Sequence, residues 1–264
     1  MKTKFISAIA ALILLSFTLI MSCDKKEGCT DPTATNYDSD AKKNCCCEYA
    51  TPPPVIKEFK LDITKGTTPI QDGIIDAIEW SDAKTANLYI ASGSTPTKVY
   101  GKVYVKHDGQ YLWVAYAMFD TSHNVETDKT SLYIDKDYDR AKNPQATDFI
   151  FELRRNDTAN NITTQLKGTG TTTGTFLDWT VTPQGAWTAI MTNQGNGAGS
   201  SWRVEYKVPF SDINITAGAA KTIGINFGTS DNFNLWPGWV DDSKGTNWVH
   251  PNTWGSISSS DNWQ

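Results

Sequence analysis

Apolar residues in this chain recur at every second position, not at the third and fourth that a helix needs. Val99 to Lys106 and Arg203 to Val208 alternate apolar and polar side chains, the pattern of a strand with one wet face. Tyr111 to Phe119 (YLWVAYAMF) is apolar on both faces, as an interior strand is. Asp108-Gly109 sits between two of these runs and predicts a hairpin turn, while Gly, Thr, Asn and Ser dominate 156–175 and 193–201 as loops. Thr169 to Thr175 (TGTTTGT) is too short to stack as a repeat and reads as a loop or edge strand. The expectation is an all-β chain folded as an antiparallel β-sandwich.

The front of the chain differs in kind. Met1 to Lys4 carries two lysines, an apolar stretch runs from Phe5 to Met21, and Leu19-Ile20-Met21-Ser22-Cys23 resembles a lipobox. Residues 1–22 therefore read as a lipoprotein signal peptide and 23–27 as the anchor segment, with Cys23 the lipidated residue. The apolar run is at the short limit for a spanning helix, so the expected contact with a membrane is through the lipid alone. The protein is then exported and lipid-anchored to a bacterial envelope, at the outer membrane or cell surface.

The other four cysteines, Cys29, Cys45, Cys46 and Cys47, fall within one short segment, 28–49, and suit an oxidising compartment. Its opening, GCTDPTATNY, is similar to a small Cys-bounded module of surface and secreted proteins from Bacteroidetes-type bacteria. Cys29 can close a loop with any of the other three, leaving two for a vicinal bridge, another pairing or an external partner. Zinc is disfavoured, because three adjacent thiols cannot readily aim at one tetrahedral ion and no histidine is near. A Pro-rich spacer follows at 50–55, and 56–264 is long enough for a single all-β domain. The net charge of −5, without a Lys/Arg cluster, argues against a nucleic-acid partner.

Five patches run in order through that domain: DGIIDAIEW (Asp72–Trp80), VYVKHDGQYLWVAYAMFD (Val103–Asp120), SLYIDKDYD (Ser131–Asp139), WRVEYKVPF (Trp202–Phe210) and HPNTWGSI (His250–Ile257). The ordered set resembles the family 9 carbohydrate-binding modules, which belong with the DOMON-related sandwiches. The resemblance implies a polysaccharide or oligosaccharide ligand, bound without cleavage. It reads GINFGTSDN (Gly224–Asn232) as the strand whose terminal Asp231 and Asn232 lie beside a sugar-stacking Trp236. Among the ten tryptophans, Trp236, Trp239, Trp248 and Trp254 crowd a Pro-, Gly-, Asp- and Asn-rich stretch, a setting for loops. Flat aromatic platforms beside amide and acid groups are what a sugar's apolar face and polar rim require. Trp236, Trp239, Asp231, Asn232, Trp248 and His123 are the expected ligand contacts. Trp80 and Trp254 read as core. The family's second aromatic should come from Phe119 to Thr130, which offers Phe119 and His123 but no Trp, so an open groove is the alternative to a two-sided clamp. Trp179 and Trp187 fit either the missing surface or ordinary burial.

Asp135, Asp137 and Asp139 alternate in DKDYD, and their oxygen ligands suit a structural calcium ion, though Arg140 and Ala146 stand where an EF-hand needs Gly and Glu. A solvated acidic turn is the other reading. Catalysis is not expected: the histidines lie in unrelated contexts and no GxSxG, HExxH or P-loop occurs. Any hydrolase activity would belong to neighbouring glycoside hydrolases, and transporters are further partners for a capture module. A surface adhesin, and a DOMON-type haem b domain using Met118 with His250 or His123, are the competing classes.

Overall fold

The structure is a computed structural model that describes residues 26–32, 34–48, 59–92, 95–119, 128–155, 162–171, 173, 176–194, 201–230 and 250–264. The chain divides into two compact units, Met1–Ile56 and Lys57–Gln264.

Among the described residues of the first unit, β1 (Glu27–Gly28) and β2 (Lys43–Asn44) pair in parallel, and one isolated bridge joins Cys29 to Tyr37. So short a ladder cannot hold a fold, and covalent and side-chain ties take its place. A disulfide joins Cys29 to Cys47. Asn36 donates from Nδ2 to the Cys46 carbonyl at 2.6 Å and accepts the Glu48 N–H at 2.8 Å. Cys45 and Cys46 remain thiols. A crosslink spanning 18 residues offsets about 3 kcal/mol of unfolded-chain entropy, which is substantial for a unit this small.

The second unit is built from β3 (Lys60–Ile63), β4 (Lys84–Ser92), β5 (Thr95–His107), β6 (Tyr111–Met118), β7 (Lys129–Asp135), β8 (Asp148–Arg154), β9 (Ile162–Gly168), β10 (Trp179–Thr182), β11 (Thr188–Gln194), β12 (Ser201–Pro209), β13 (Thr222–Ser230) and β14 (Gly255–Ser259). They form a seven-stranded sheet in the order β10-β9-β8-β7-β13-β14-β3 and a five-stranded sheet in the order β11-β12-β6-β5-β4. Pairing is antiparallel except between β14 and β3. The expected sandwich is therefore present.

Alternation decides which side chains fill it. Leu112, Val114, Tyr116 and Met118 of β6 meet Leu132 and Ile134 of β7, Phe151 and Leu153 of β8, and Ile223, Ile225 and Phe227 of β13 in one buried core. Two tyrosines tie the sheets together. The Tyr116 hydroxyl donates to the Ser131 carbonyl at 2.9 Å, and the Tyr206 hydroxyl donates to the Thr130 carbonyl at 2.9 Å and accepts the Leu153 N–H at 3.0 Å. Burial holds both phenols well above their ordinary range, so they stay neutral donors.

The other face of β6 is buried as well, as its sequence requires: Trp113 and Ala115 pack with Trp80. Glu205 of β12 holds the Trp80 segment there, accepting the N–H groups of Asp72 at 3.0 Å and Gly73 at 2.8 Å and the Trp80 indole N–H at 3.0 Å. The predicted hairpin turn is present between β5 and β6, where Gly109 takes φ +91° and Asp108 Oδ1 accepts the Gln110 and Tyr111 N–H groups. On the outer face of the seven-stranded sheet, Tyr133, Ile150, Leu166, Trp179 and Trp254 form a separate cluster, with Trp179 and Trp254 stacked at 6.1 Å. Trp80 and Trp254 are thus both core residues.

Candidate functional site

The register places one end of the sandwich at the centre of the argument. Lys129, the first residue of β7, pairs with Arg154 at the end of β8 and Ser230 at the end of β13. Met118, the last residue of β6, pairs with Trp202 near the start of β12, and Gln194 at the end of β11 pairs with Ser201. Segments 120–127, 156–161, 195–200 and 231–249 consequently leave the strands at the same end.

A buried polar clamp joins the two sheets there. Arg155 donates from Nη1 to Asp128 Oδ2 at 3.2 Å, and from Nε and Nη2 to Asn193 Oδ1 at 3.0 and 2.8 Å, with its guanidinium 5.5 Å from the Trp202 ring. The Arg155 N–H also donates to the Asp128 carbonyl at 2.8 Å.

His123 lies in segment 120–127, and Asp231, Asn232, Trp236, Trp239 and Trp248 lie in 231–249, all outside the described residues, as does Cys23. The structure does show where those segments attach. Asp231 follows directly on Ser230, which faces Lys129 across the β13–β7 pair, so both segments open from adjacent strands.

Beside this end, the outer face of the seven-stranded sheet carries a row of polar groups. Alternation puts Lys129, Ser131 and Tyr133 on that face from β7, Glu152 and Arg154 from β8, and Asn226, Gly228 and Ser230 from β13. Lys129 Nζ lies 2.5 Å from Glu152 Oε1, and Ser131 Oγ donates to the same oxygen at 3.2 Å. The two charged side chains are only 16% and 11% exposed, so the pair is partly withdrawn from water. A Cβ on Gly228 would come within 3.0 Å of the Tyr133 ring, so glycine there lets β13 lie close against it. Paired donors and acceptors next to an aromatic ring can bind vicinal hydroxyls. Neither Lys129 nor Glu152 stood out in the sequence, although each is a polar residue at an outward position of an alternating strand.

Trp179 and Trp187 do not supply a second aromatic surface. Trp187 is fully buried in the core, its indole N–H bound to Gln165 Oε1 at 2.7 Å, and Trp179 is 5% exposed beneath Trp254. Phe119 is 48% exposed just ahead of segment 120–127. The haem pair Met118–His250 is not brought together: Met118 belongs to the core between the sheets, while His250 Nδ1 bonds the Lys142 carbonyl in the β7–β8 loop, which lies against the opposite face of the seven-stranded sheet near Gly168.

The acidic loop forms a second group of interest. Asp135 and Asp137 meet Asp148 of β8, with one carboxylate oxygen from each within 4.8 Å of the others. Asp139 lies outside this set, and its Oδ1 accepts the Ala141 N–H at 2.8 Å. Burial, and the neighbouring Asp137, push Asp135 up to about 6; burial, then the charges of Asp135, Asp139 and Asp137, push Asp148 up to about 8. Asp135 and Asp148 pair with each other at the end of β7 and β8 opposite Lys129 and Arg154, about 20 Å away at strand rise. The group is therefore remote from the start of the Trp-rich segment, whereas His250, which directly follows that segment, bonds the Lys142 carbonyl in the β7–β8 loop.

Solved structures with this fold are known. A family 9 carbohydrate-binding module from Caldicellulosiruptor kristjanssonii in complex with glucose aligns with a TM-score of 0.54 and 20% identity, covering 76% of this chain and 95% of that one. The same organism's family 9 module in complex with cellotriose gives 0.54 and 20%, covering 76% and 93%. A Bacteroides uniformis ATCC 8492 protein, whose description as carbohydrate-binding is itself provisional, gives 0.56 and 14%, covering 77% and 100%. No family model matches the chain, and no curated protein does. At these identities the likeness is one of fold: the chain has a family 9-like β-sandwich.

Proposed function

We propose that the protein binds a neutral polysaccharide or oligosaccharide without cleaving it, at the end of the sandwich from which 120–127 and 231–249 depart. One observation carries this reading: in a family 9-like sandwich, the Trp-rich segment begins directly after β13, next to the hydrogen-bonding row of Lys129, Ser131 and Glu152. In that arrangement Trp236 and Trp239 stack on the sugar's C–H faces, while Asp231, Asn232 and the outer-face row select among hydroxyl patterns. The glucose and cellotriose carried by the Caldicellulosiruptor modules make β-glucans the first class to try. Lipidation at Cys23 holds the module on the envelope, where capture raises the local polymer concentration for glycoside hydrolases or transporters.

The test is retention of the leaderless chain on insoluble polysaccharides, with Trp236→Ala beside the wild type. Retention by a glucan or another plant or algal polymer, lost in the variant, supports the assignment. A wild-type protein that binds no glycan favours an adhesin.

A further inference from the structure

We propose that Cys45 and Cys46 form a redox-active dithiol that exchanges with disulfides through Cys46 and closes to a vicinal disulfide, independently of the Cys29–Cys47 crosslink. That crosslink uses the first and last of the segment's four cysteines, so the two thiols left over are neighbours in sequence. Bonds on both flanks hold the pair. The Cys45 N–H donates to the Gly28 carbonyl at 3.1 Å, one step beyond the β1–β2 ladder, and the Cys46 carbonyl accepts from Asn36 Nδ2. Cys47, the next residue, is tied to Cys29. Between these anchors Cys46 takes φ +56°, a left-handed conformation that a residue with a Cβ keeps only where its surroundings impose it. The dipeptide is therefore held in place, and its two thiols hydrogen-bond to each other.

The two sulfurs are not equivalent. Cys46 is exposed, whereas Cys45 is partly buried. The hydrogen bond with Cys46, and then burial, hold the Cys45 thiol above its ordinary range, so it keeps its proton. Thiol–disulfide exchange needs an accessible thiolate, which makes Cys46 the attacking residue and Cys45 the resolving one. The Cys46 thiolate, its proton lost to solvent, bonds to one sulfur of a small disulfide RSSR, expels RS⁻ and leaves a mixed disulfide. Cys45 then gives up its proton, attacks the Cys46 sulfur and expels the second RS⁻. The released protons return to the two leaving thiolates, so the two cysteines are oxidised to one disulfide and RSSR is reduced to two RSH. Adjacent Cα atoms lie about 3.8 Å apart across a trans peptide, below the roughly 4.4–6.8 Å that a relaxed disulfide spans, so the vicinal bond is strained and readily reduced. Cys29 and Cys47, with Cα atoms 4.8 Å apart, lie inside that range. One short segment then carries a fixed crosslink and a reversible one.

The chain from Asp24 onward, which leaves out Cys23, tests this with glutathione disulfide as RSSR. Free thiols are alkylated and the products read by peptide mass mapping without reduction. The wild type should end with a Cys45–Cys46 bond and no glutathione attached, and a mild dithiol should reopen that bond while Cys29–Cys47 persists. Cys45→Ser should stop at one glutathione on Cys46. Cys46→Ser should react at least about tenfold more slowly, because its remaining thiol is partly buried. The Cys29–Cys47 link, mapped in each variant, reports whether the module is intact, and the wild-type result depends on neither variant. A wild type that keeps two free thiols or two glutathiones, an exchange that moves a bond onto Cys29 from either residue, or a Cys46→Ser variant as fast as the wild type overturns the assignment.

Discussion

Arg155 and Asp128 form an ion pair at 3.2 Å in which neither side chain reaches solvent. The pair stitches the end of β8 to the start of β7, and Asn193 on β11 extends the clamp into the other sheet. Removing the arginine takes a buried counter-charge away from a buried carboxylate. Arg155→Ala should cost about 3–5 kcal/mol, read as a lowered midpoint in chemical denaturation. An unchanged midpoint would mean that water already reaches Asp128.

Two tryptophans in the C-terminal part should separate binding from folding. Trp254 is 2% exposed in the aromatic cluster outside the seven-stranded sheet, so Trp254→Ala should destabilise by about 3–5 kcal/mol. Trp236→Ala should leave stability within about 0.5 kcal/mol and lower sugar affinity at least tenfold. Denaturation and glycan retention measured on both variants check the pair, and a reversed pattern would move the site elsewhere.

Glu205 accepts from three donors on the Trp80 segment: the N–H groups of Asp72, which it shares with the Ile70 carbonyl, and Gly73, and the Trp80 indole. Glu205→Ala should cost about 3 kcal/mol or more, since each stranded buried donor carries its own penalty. Limited proteolysis should then cut between residues 66 and 83, sparing the wild type.

His107 gives a pH dependence of known sign. Burial holds its imidazole below the ordinary value of 6.5, opposed by the Asp261 carboxylate 3.1 Å away and by Asp108, with Lys65 acting alongside burial. The folded ring resists the proton that the unfolded ring accepts, so its contribution to stability falls as pH drops below 6.5. Asp148 and Asp135, raised by burial, act in the opposite direction as pH falls through about 8 and about 6 in the absence of metal. The comparison that isolates the histidine is therefore wild type against His107→Gln, both in chelator. From pH 7.5 to 5.0 the wild type should lose stability relative to the variant, and parallel curves would refute the assignment.

Periodicity made the strands readable, down to the doubly buried face of β6, because Trp113 and Ala115 alternate with Leu112 and Val114 in an unbroken apolar run. Trp80 and Trp254 were also legible, since each sits in a motif that closes a sandwich. Partnerships across strands were not. Lys129 and Glu152 are 23 residues apart, and Asp148 is separated from Asp135 by a whole loop, so only the antiparallel register brings either pair together. The sequence pattern favoured Asp139 as a ligand because it alternates with its neighbours, but left-handed backbone at Tyr138 and Arg140 breaks the extended geometry that alternation assumes.

The strand that enters the domain is a short edge: β3 holds four residues and, among the described strands, pairs only with β14, in parallel. Any tension transmitted along the chain from its N-terminal side reaches this strand before the rest of the sandwich. Behind it stand the Lys65 N–H bond to Asp261 Oδ2 at 2.6 Å and the Gly66 N–H bond to the His107 carbonyl at 2.8 Å. Under a steady pull the edge would peel to that double latch and stop, leaving the eleven other described strands of the domain seated. A module tethered at one end to a moving cell and at the other to a fixed polymer would in this way have a compliant first link.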